Sequence, residues 1–444
     1  MEIKESFWNL VNLYKSNILP EETIPSVIRI IFTKYCADNY LLSDTREEMM
    51  IYANIHKSIA NRDVDGFLES ASAAFEYIDS KLRANGLILR AQYALRNDFL
   101  GLTNKKKSYS PENNRALLTA ISEIDLSNDN ISNEDLFKEL EEFIYIMAAS
   151  SGRYSAGYYS SKSINTLVKE LLRVEETDTY LDFACGCGLS DITIAEGKGT
   201  KHYYSDINEE LVQLAIMLNI IRGFQVEKMS FKVNDILINR SENAGATKIF
   251  VDFPFGIRVN KAETGYSDGS VLAIHRIIES LANGGQAIIT CPTALFSKTD
   301  KESSSLRHTL LENKLIKSII ALPPVTLGTL VNVNLLLLSK EENDKVLFVD
   351  ASRNDIVQFS NNSRKANAEL TPSGIEDISN IFWKRLEVKG VSSLIPVQNL
   401  IKEDSLLPKN YIEIEEKTVM PSYSEINKRL NTLYGSLIKS LKDM

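Results

Sequence analysis

Cysteine, histidine and tryptophan are scarce in this chain of 444 residues, which contains four cysteines, four histidines and two tryptophans. The four cysteines do not provide a disulfide framework, and too few of them cluster with histidines to predict a zinc site. The chain also lacks an apolar run of about 20 residues, the length of a membrane span, and its first residues do not resemble a signal peptide. We therefore expect no metal site, no membrane contact and a cytoplasmic protein.

Basic residues are outnumbered as well: 50 lysines and arginines face 59 aspartates and glutamates, which gives a net charge of -9 and a pI near 5.3. A chain that held DNA without help would usually be basic, because phosphate contacts supply most non-specific affinity. The acidic balance argues against a standalone DNA-binding protein. It is compatible with an enzyme subunit whose DNA contacts come from a local basic face or from a partner.

Residues 1–148 show helical periodicity throughout. Apolar residues recur at helical spacing over residues 24–40 and 67–87, and a further helix is predicted from Ser132 to Ala148. Three consecutive lysines before this helix are more typical of a solvent-exposed loop than of a DNA contact. We predict an all-helical N-terminal domain over residues 1–148.

After a small, polar boundary at residues 150–157, predicted strands and helices alternate, which is typical of a parallel α/β sheet. The predicted strands lie at residues 180–183, 202–205, 231–233, 248–251, 286–290, 318–322 and 333–338. The last strand follows its predecessor without a helix, and such a short connection favours antiparallel pairing. A mostly parallel sheet closed by one antiparallel hairpin is typical of S-adenosylmethionine-dependent methyltransferases. We predict this Rossmann-like α/β domain over residues 149–405.

The C-terminal part is predicted to be less regular. Residues 343–405 should mix polar loops with short strands, for example at residues 346–349. Residues 406–444 should form an extended segment followed by an amphipathic helix from Ser424. The apolar residues of this helix recur at spacings of three and four: Ile426, Leu430, Leu433, Leu437 and Leu441. Such a helix either docks on the chain's own body or provides a seam for a partner helix.

A glycine-containing turn follows the first predicted strand and precedes a helix. Gly186 and Gly188 let the backbone approach a ligand where Cβ atoms would clash. The turn has no third glycine at dinucleotide spacing and no Gly-Lys-Ser/Thr sequence, so neither a full dinucleotide-binding fingerprint nor a P-loop fits. Asp182 and Ala184, at the entry of the turn, complete the candidate cofactor residues here.

Two further acids end the next two predicted strands. Asp206 lies about twenty residues beyond the glycine turn, where an acid binds the ribose hydroxyls of an adenosine-containing cofactor. Asp235 ends the following strand, in place to accept a hydrogen bond from the adenine amino group. Their neighbours Ile207 and Asn234 join these candidates. Each acid alone is more typical of a helix cap or turn, but together with the glycine turn they predict a nucleoside cofactor.

A fourth strand, within residues 247–256, ends at Asp252 and is followed by Phe253, Pro254 and Phe255. At the carboxyl end of a parallel strand this acid would face the ligand crevice. A carboxylate, a carbonyl in a proline-stiffened turn and an aromatic ring suit a planar base that carries an amino group. The alternative is a polar turn with its phenylalanines in the core. The cofactor acids on the preceding strands favour a catalytic site for the acceptor base.

Together these motifs resemble the modification (methyltransferase) subunit of type I restriction–modification systems, a family of N6-adenine DNA methyltransferases. Residues 157–160 resemble the family's Gly-x-Tyr/Phe-Thr-Pro segment, residues 182–188 its Asp-Pro-x-Cys-Gly-Ser-Gly turn, and residues 252–255 its Asn-Pro-Pro-Phe motif. Further similarity lies at residues 283–292, 310–316 and 320–324.

The resemblance implies S-adenosylmethionine as the cofactor and methyl transfer to N6 of a flipped adenine, with the base stacked on Phe255 and oriented by Asp252 and a main-chain carbonyl. The residues expected near the methionine part of the cofactor are Gly157, Tyr158, Tyr159 and Ser160. No target-recognition domain is evident after the catalytic motif. The partners implied are therefore DNA, a specificity subunit that reads the sequence, a second copy of this chain and, as a further candidate, a restriction subunit.

The chain departs from the family pattern at several positions. Ser160 and Ser161 stand where Thr-Pro is usual, Asp252 stands where asparagine is usual, and Phe253 replaces the first proline of the motif. Aspartate still offers an acceptor for the target amine, while the lost proline loosens the turn whose carbonyl should orient it. The alternatives are a catalytically silent subunit that binds cofactor and partner, an RNA or protein amino-methyltransferase, and a cytosine-N4 enzyme.

Overall fold

The computed structural model describes only part of the chain. The described residues are 3–15, 20–83, 111–150, 160–239, 245–325, 332–352, 357–359, 368–403 and 405–412. The predicted cofactor residues Gly157, Tyr158 and Tyr159 and the predicted helix from Ser424 lie outside these ranges. No helix within them is long and apolar enough to cross a membrane.

The N-terminal part is helical, as its periodicity predicts. Its helices are α1 (Ile3–Lys15), α2 (Pro20–Asp38), α3 (Arg46–Asn61), α4 (Val64–Arg83), α5 (Pro111–Ser122) and α6 (Asn133–Ser150). A capping box starts α3, because the Thr45 side chain accepts from the backbone of Glu48 while the Glu48 side chain accepts from Thr45. Inside the bundle, Phe32 stacks on Phe75 with ring centroids 5.6 Å apart.

A mixed nine-stranded sheet forms the second part, in the order β11-β8-β6-β7-β5-β4-β1-β2-β3. Its strands are β1 (Thr179–Asp182), β2 (Lys201–Asp206), β3 (Met229–Val233), β4 (Ala246–Val251), β5 (Leu281–Pro292), β6 (Ile316–Leu322), β7 (Val333–Ser339), β8 (Lys345–Asp350) and β11 (Ser392–Pro396). Strands β3, β2, β1, β4 and β5 pair in parallel, and β7 pairs antiparallel with both β5 and β6. The predicted antiparallel hairpin is therefore confirmed.

Helices cover both faces of this sheet. Helices α7 (Lys162–Leu172), α8 (Leu189–Ala195) and α9 (Glu209–Ile221) share a core with Phe250 and Ile288, while α11 (Gly269–Ser280) and α12 (Lys301–Glu312) share a core with Ile249 and Ile289. Successive strand residues thus point to opposite faces, as the pleat requires. A short helix, α10 (Lys261–Thr264), lies between β4 and α11.

The region between residues 343 and 405 is more regular than predicted. The short strand β8 is present, but α13 (Pro372–Lys384) is a full helix that the sequence prediction missed. Pro372 occupies the first turn of α13 and the Thr371 side chain accepts from Gly374 N, so a proline and a glycine that suggest a turn here open a helix. The remaining elements are β9 (Val357–Phe359), β10 (Ala368–Leu370) and α14 (Val397–Leu400).

The helical part and the sheet share one continuous apolar core. Buried residues of α2, including Ile28, belong to the same cluster as α9 and the sheet residue Phe250. Arg29 of α2 also forms an ion pair with Glu210 of α9 at 2.7 Å. At the other end of the chain, Tyr411 stacks on Phe348 of β8 with centroids 4.4 Å apart. The domain bounds at residues 148 and 405 remain predictions.

Because the core is continuous, we expect the two parts to unfold together. The two tryptophans report on them separately: Trp8 packs edge-on against Phe143 in the helical part, and Trp383 in α13 donates to the carbonyl of Glu170. Trp8→Phe leaves Trp383 as the reporter, and Trp383→Phe leaves Trp8. Urea unfolding followed by tryptophan fluorescence should give the same midpoint in both variants. Adding Ile28→Ala should lower the stability reported by either tryptophan by about 2–5 kcal/mol. Two separate midpoints would contradict a shared core.

Candidate functional site

The carboxyl ends of β1, β2, β3 and β4 meet at one edge of the sheet, where the chain crosses from β3 back to β4 beside β1. Such a switch point opens a crevice in doubly wound sheets. Asp182 and Asp206 are the last residues of β1 and β2, Asp235 follows β3 by two residues, and Asp252 follows β4 by one. The fold therefore brings together the four predicted acids at one edge.

The glycine turn after β1 is held in a tight left-handed path. Gly186 and Gly188 have φ values of 53° and 80°, and a Cβ on Gly188 would lie 3.0 Å from the Cβ of Ala215 in α9. The left-handed backbone favours glycine at both positions, and at Gly188 the absence of a Cβ also allows the close approach of α9. Asp182 stabilises the entry of the turn, since its Oδ1 accepts from Ala184 N at 2.8 Å.

Asp206 connects this turn to the end of β2. Its Oδ2 accepts from Gly186 N at 3.0 Å and its Oδ1 accepts from Asn208 N at 2.8 Å. Burial raises the pKa of the Asp206 carboxyl, and these backbone hydrogen bonds oppose the rise. The next residue, Ile207, leaves 69% of its surface exposed, which is unusual for an isoleucine. The pair presents a carboxylate and an apolar side chain side by side.

Asn234 and Asp235 lie in the next loop. The backbone N–H of Asn234 donates to the backbone carbonyl of Asp206 at 2.9 Å, which joins the two loops. Asp235 Oδ1 accepts from Leu237 N at 2.9 Å. Val233 and Ile238, which flank them, are 51% and 63% exposed. Sequence reasoning missed these two apolar residues; their position beside strand-end acids was the available signal. Tight glycines, acceptor oxygens and exposed apolar side chains fit an adenosine-containing cofactor.

A further carboxyl, which was not predicted from the sequence, lies beneath the glycine turn. Asp191, in the first turn of α8, is 1% exposed and lies beside the 2% exposed Asp182. No salt bridge reaches either group within the described ranges. Burial raises the pKa of Asp191 to about 7, and burial with the Asp191 charge raises the pKa of Asp182 well above its usual range. Two such carboxyls hold at least one proton near neutral pH.

Asp252 lies at the end of β4 with side-chain hydroxyls around it. Thr290 Oγ1 donates to Asp252 Oδ1, and the Ser160 hydroxyl donates to the same carboxyl group. Burial raises the pKa of Asp252, while the hydrogen bonds from Ser160 and Thr290 act in the opposite direction. Sequence reasoning missed Thr290, because threonine is an ordinary strand residue. Ser160, expected near the cofactor, contacts the predicted catalytic acid.

The three residues after Asp252 occupy different environments. Phe253 is 7% exposed and packs in the core under α11, Pro254 is exposed, and Phe255 is half-buried at the rim. The loop that follows is clamped by Glu302 of α12, which accepts from the amides of Ser267 and Asp268 at 2.9 and 3.2 Å. Of these three residues, Pro254 and Phe255 are thus available to a ligand, beside the half-buried Asp252.

Comparisons with known proteins agree with this architecture. The N-6 DNA Methylase family model matches residues 132–419. A type I restriction enzyme MpnII methylase subunit from Mycoplasma pneumoniae is 22% identical over 377 residues, which cover 74% of this chain and 68% of that protein. A crystal structure of a type I restriction-modification methyltransferase subunit from Streptococcus thermophilus has a TM-score of 0.76 at 16% identity. It covers 93% of this chain and 99% of that one.

A second solved structure, described as underlying complex assembly and conformational transition of the type I R-M system, has a TM-score of 0.66 at 14% identity. It covers 99% of this chain and 96% of that one. At these identities the structural likeness establishes the methyltransferase fold. The family model adds more, because it matches well over half of the chain, including every described cofactor candidate and the Asp252 turn. The chain therefore belongs to the N-6 DNA methylase family, enzymes that transfer a methyl group from S-adenosylmethionine to N6 of adenine in DNA.

Proposed function

We propose that this chain is the modification subunit of a type I-like restriction–modification system and that a separate specificity subunit chooses the DNA sequence. The observation that carries the proposal is the position of Asp252 at the sheet edge, next to the strand ends that carry the cofactor candidates. The similar proteins from Mycoplasma pneumoniae and Streptococcus thermophilus are described as type I methylase subunits. The net charge of -9 further favours a partner that supplies part of the DNA contact.

For the cofactor, we assign the glycine turn and the two loops beside it. Asp206 and Ile207 would hold the ribose and one face of the adenine, and Asn234 and Asp235 would meet the adenine edge. The turn residues Asp182, Ala184, Gly186 and Gly188 would lie against the methionine part. By resemblance, the same part would meet Gly157, Tyr158, Tyr159 and Ser160. When bound, S-adenosylmethionine supplies an electrophilic methyl group on a sulfonium.

For the target base, we assign Asp252 and the turn that follows it. Asp252 would accept a hydrogen bond from the N6 amino group of a flipped adenine, and a carbonyl of the Phe253–Pro254 turn would accept another. These two acceptors orient the nitrogen lone pair for attack, and Phe255 would stack on the ring. Phe253 contributes by anchoring the turn in the core. DNA, a specificity subunit and a second copy of this chain are the proposed partners, with a restriction subunit as a further candidate.

The proposal is tested by tritiated-methyl transfer to DNA with the specificity subunit present. We expect label on N6 of adenine, and Asp252→Ala should lower the rate by at least about 100-fold, the usual effect of losing one preorganised polar partner. The affinity for S-adenosylmethionine should stay unchanged, because Asp252 faces the base.

Four results would contradict parts of the proposal. A wild-type complex that binds cofactor but transfers no label would indicate a silent subunit. Label on cytosine N4 would change the substrate. Efficient methylation of a defined sequence by this chain alone would exclude the separate specificity subunit. An equal loss of cofactor binding and transfer in Asp252→Ala would mean that Asp252 is structural.

The raised pKa of Asp252 predicts how methyl transfer depends on pH. Only the ionised carboxyl is a pure acceptor, so kcat/KM should fall as the pH falls through this raised pKa. The Asp252→Asn variant keeps an acceptor oxygen that does not titrate. Its pH profile should lose the acid limb, even where its maximum rate is lower. An acid limb that persists unchanged in Asp252→Asn would assign the titration to another group.

The Asp182–Asp191 pair predicts a second pH effect, on the stability of the cofactor-free protein. Both pKa values are raised on folding, so the stabilisation is complete below the unfolded value near 4 and is lost as the pH rises through the folded value, about 7 for Asp191. Between pH 5 and 8 the free energy of unfolding should fall by up to about 1.4 kcal/mol per pH unit for each proton involved. Asp191→Asn should make this pH dependence shallower, by up to about 1.4 kcal/mol per pH unit, the contribution of one proton. If urea unfolding gives the same pH dependence of stability for wild type and Asp191→Asn, the Asp182–Asp191 pair is not the origin of that dependence.

A further inference from the structure

Thr290 is a polar exception in an apolar stretch of β5. Its neighbours Ala287, Ile288, Ile289 and Cys291 are apolar or nearly so and all lie in the core. Thr290 is itself only 2% exposed, and a buried hydroxyl destabilises a protein unless it is hydrogen-bonded. A valine would fill the same volume without that cost. The hydrogen bond found for this hydroxyl goes to Asp252 Oδ1, so its role lies at the catalytic acid.

The backbone fixes this contact from both sides. In the parallel pairing of β4 and β5, Val251 is opposite Ile289, and the next residue on each strand is Asp252 and Thr290. On its other side Thr290 is opposite Leu335 of β7. Two neighbouring strands therefore hold Thr290 in the centre of the sheet. A donor on so rigid a support keeps its direction, unlike one on a loop.

A second hydroxyl approaches Asp252 from another element. Ser160 donates to the same carboxyl group and lies directly before α7, whose N-cap is Ser161. No cationic side chain within the described ranges forms a salt bridge with Asp252. Within the described ranges, the hydroxyls of Thr290 and Ser160 are the hydrogen-bond partners found for this half-buried carboxyl, and both favour its ionised form.

These contacts have a consequence for the reaction. A carboxyl that took up a proton would present an O–H to the N–H groups of the target amine, and donor would face donor. The hydrogen bond from Thr290 to Oδ1 also restricts rotation of the carboxyl group and so orients its second oxygen. We propose that Thr290 is a positioning residue for methyl transfer, which keeps Asp252 ionised with its second oxygen aimed at the amino group of the base. The inference rests on the acceptor role proposed above for Asp252.

The test replaces Thr290 with valine, which removes the hydroxyl and keeps the shape. In the complete complex, kcat/KM for DNA should fall about 10- to 100-fold, the rate equivalent of one charge-assisted hydrogen bond. The acid limb of the pH profile should move to higher pH, because the ionised form loses a donor. Binding of S-adenosylmethionine should stay within about twofold of wild type, because the change is local and Thr290 is not among the residues assigned to the cofactor. Thr290→Ser should restore both rate and acid limb.

A matched control is available in the helical part. Thr33 of α2 is also 2% exposed, and its hydroxyl donates to the Arg29 carbonyl at 2.8 Å rather than to Asp252. Thr33→Val makes the same chemical change at the same burial. We expect it to leave the pH profile unchanged, whatever it does to stability. A shift of the acid limb in Thr33→Val would show that the readout follows stability and would overturn the inference.

A second measurement does not depend on methylation. The pKa of Asp252 can be followed by 13C NMR of carboxyl-labelled aspartate in the full chain, with Asp252→Asn identifying the signal. Thr290→Val should raise this pKa, and Thr290→Ser should return it. An unchanged pKa would overturn the inference even if the complex never methylates adenine. A raised pKa in a complex that methylates another substrate would uphold the role of Thr290 while contradicting the proposed function.

Discussion

Desolvation of carboxylates that have no cationic partner within the described ranges is the constraint on which the site depends. The strand ends bring Asp182, Asp206 and Asp252 to one edge of an apolar sheet, and α8 adds Asp191. None of them forms a salt bridge within the described ranges. Each is accommodated differently: Asp206 by backbone amides, Asp252 by two hydroxyls, and the Asp182–Asp191 pair by a retained proton. The glycine turn, the strand register and the first turn of α8 all serve these arrangements.

These three arrangements differ in how accessible they leave the carboxyl group to a ligand. Backbone amides hold both oxygens of Asp206 in place, so this acid is a fixed acceptor at the end of β2. The Thr290 hydroxyl holds Oδ1 of Asp252 while the carboxyl group stays only half-buried, which suits a base that arrives and leaves. A retained proton reduces the charge of the Asp182–Asp191 pair, so the pair can be buried beneath the glycine turn. Position along the sheet edge therefore decides which acid is structural and which can meet a ligand.

Much of the fold follows from the sequence, because strand and helix periods are local signals. The seven predicted strands and the β6–β7 hairpin are present. Helix α13 was missed because Pro372 and Gly374 suggest a turn when their capping by Thr371 is not visible. Asp191 and Thr290 were missed for another reason. An acid in a first helical turn and a threonine in a strand are ordinary locally, and only tertiary packing shows which group each one faces.

The same acids bear on the proposed division of work between this chain and a partner. An adenosine cofactor that carries a sulfonium and an ammonium is attracted to an edge lined by carboxylates, whereas the phosphates of DNA are repelled by it. A chain with a net charge of -9 is thus suited to hold the cofactor and to accept a base that another protein presents. A flipped base extends away from its backbone, so the phosphates can stay outside the crevice while the neutral ring enters it. Base flipping and the proposed DNA-binding subunit would then both follow from one acidic site.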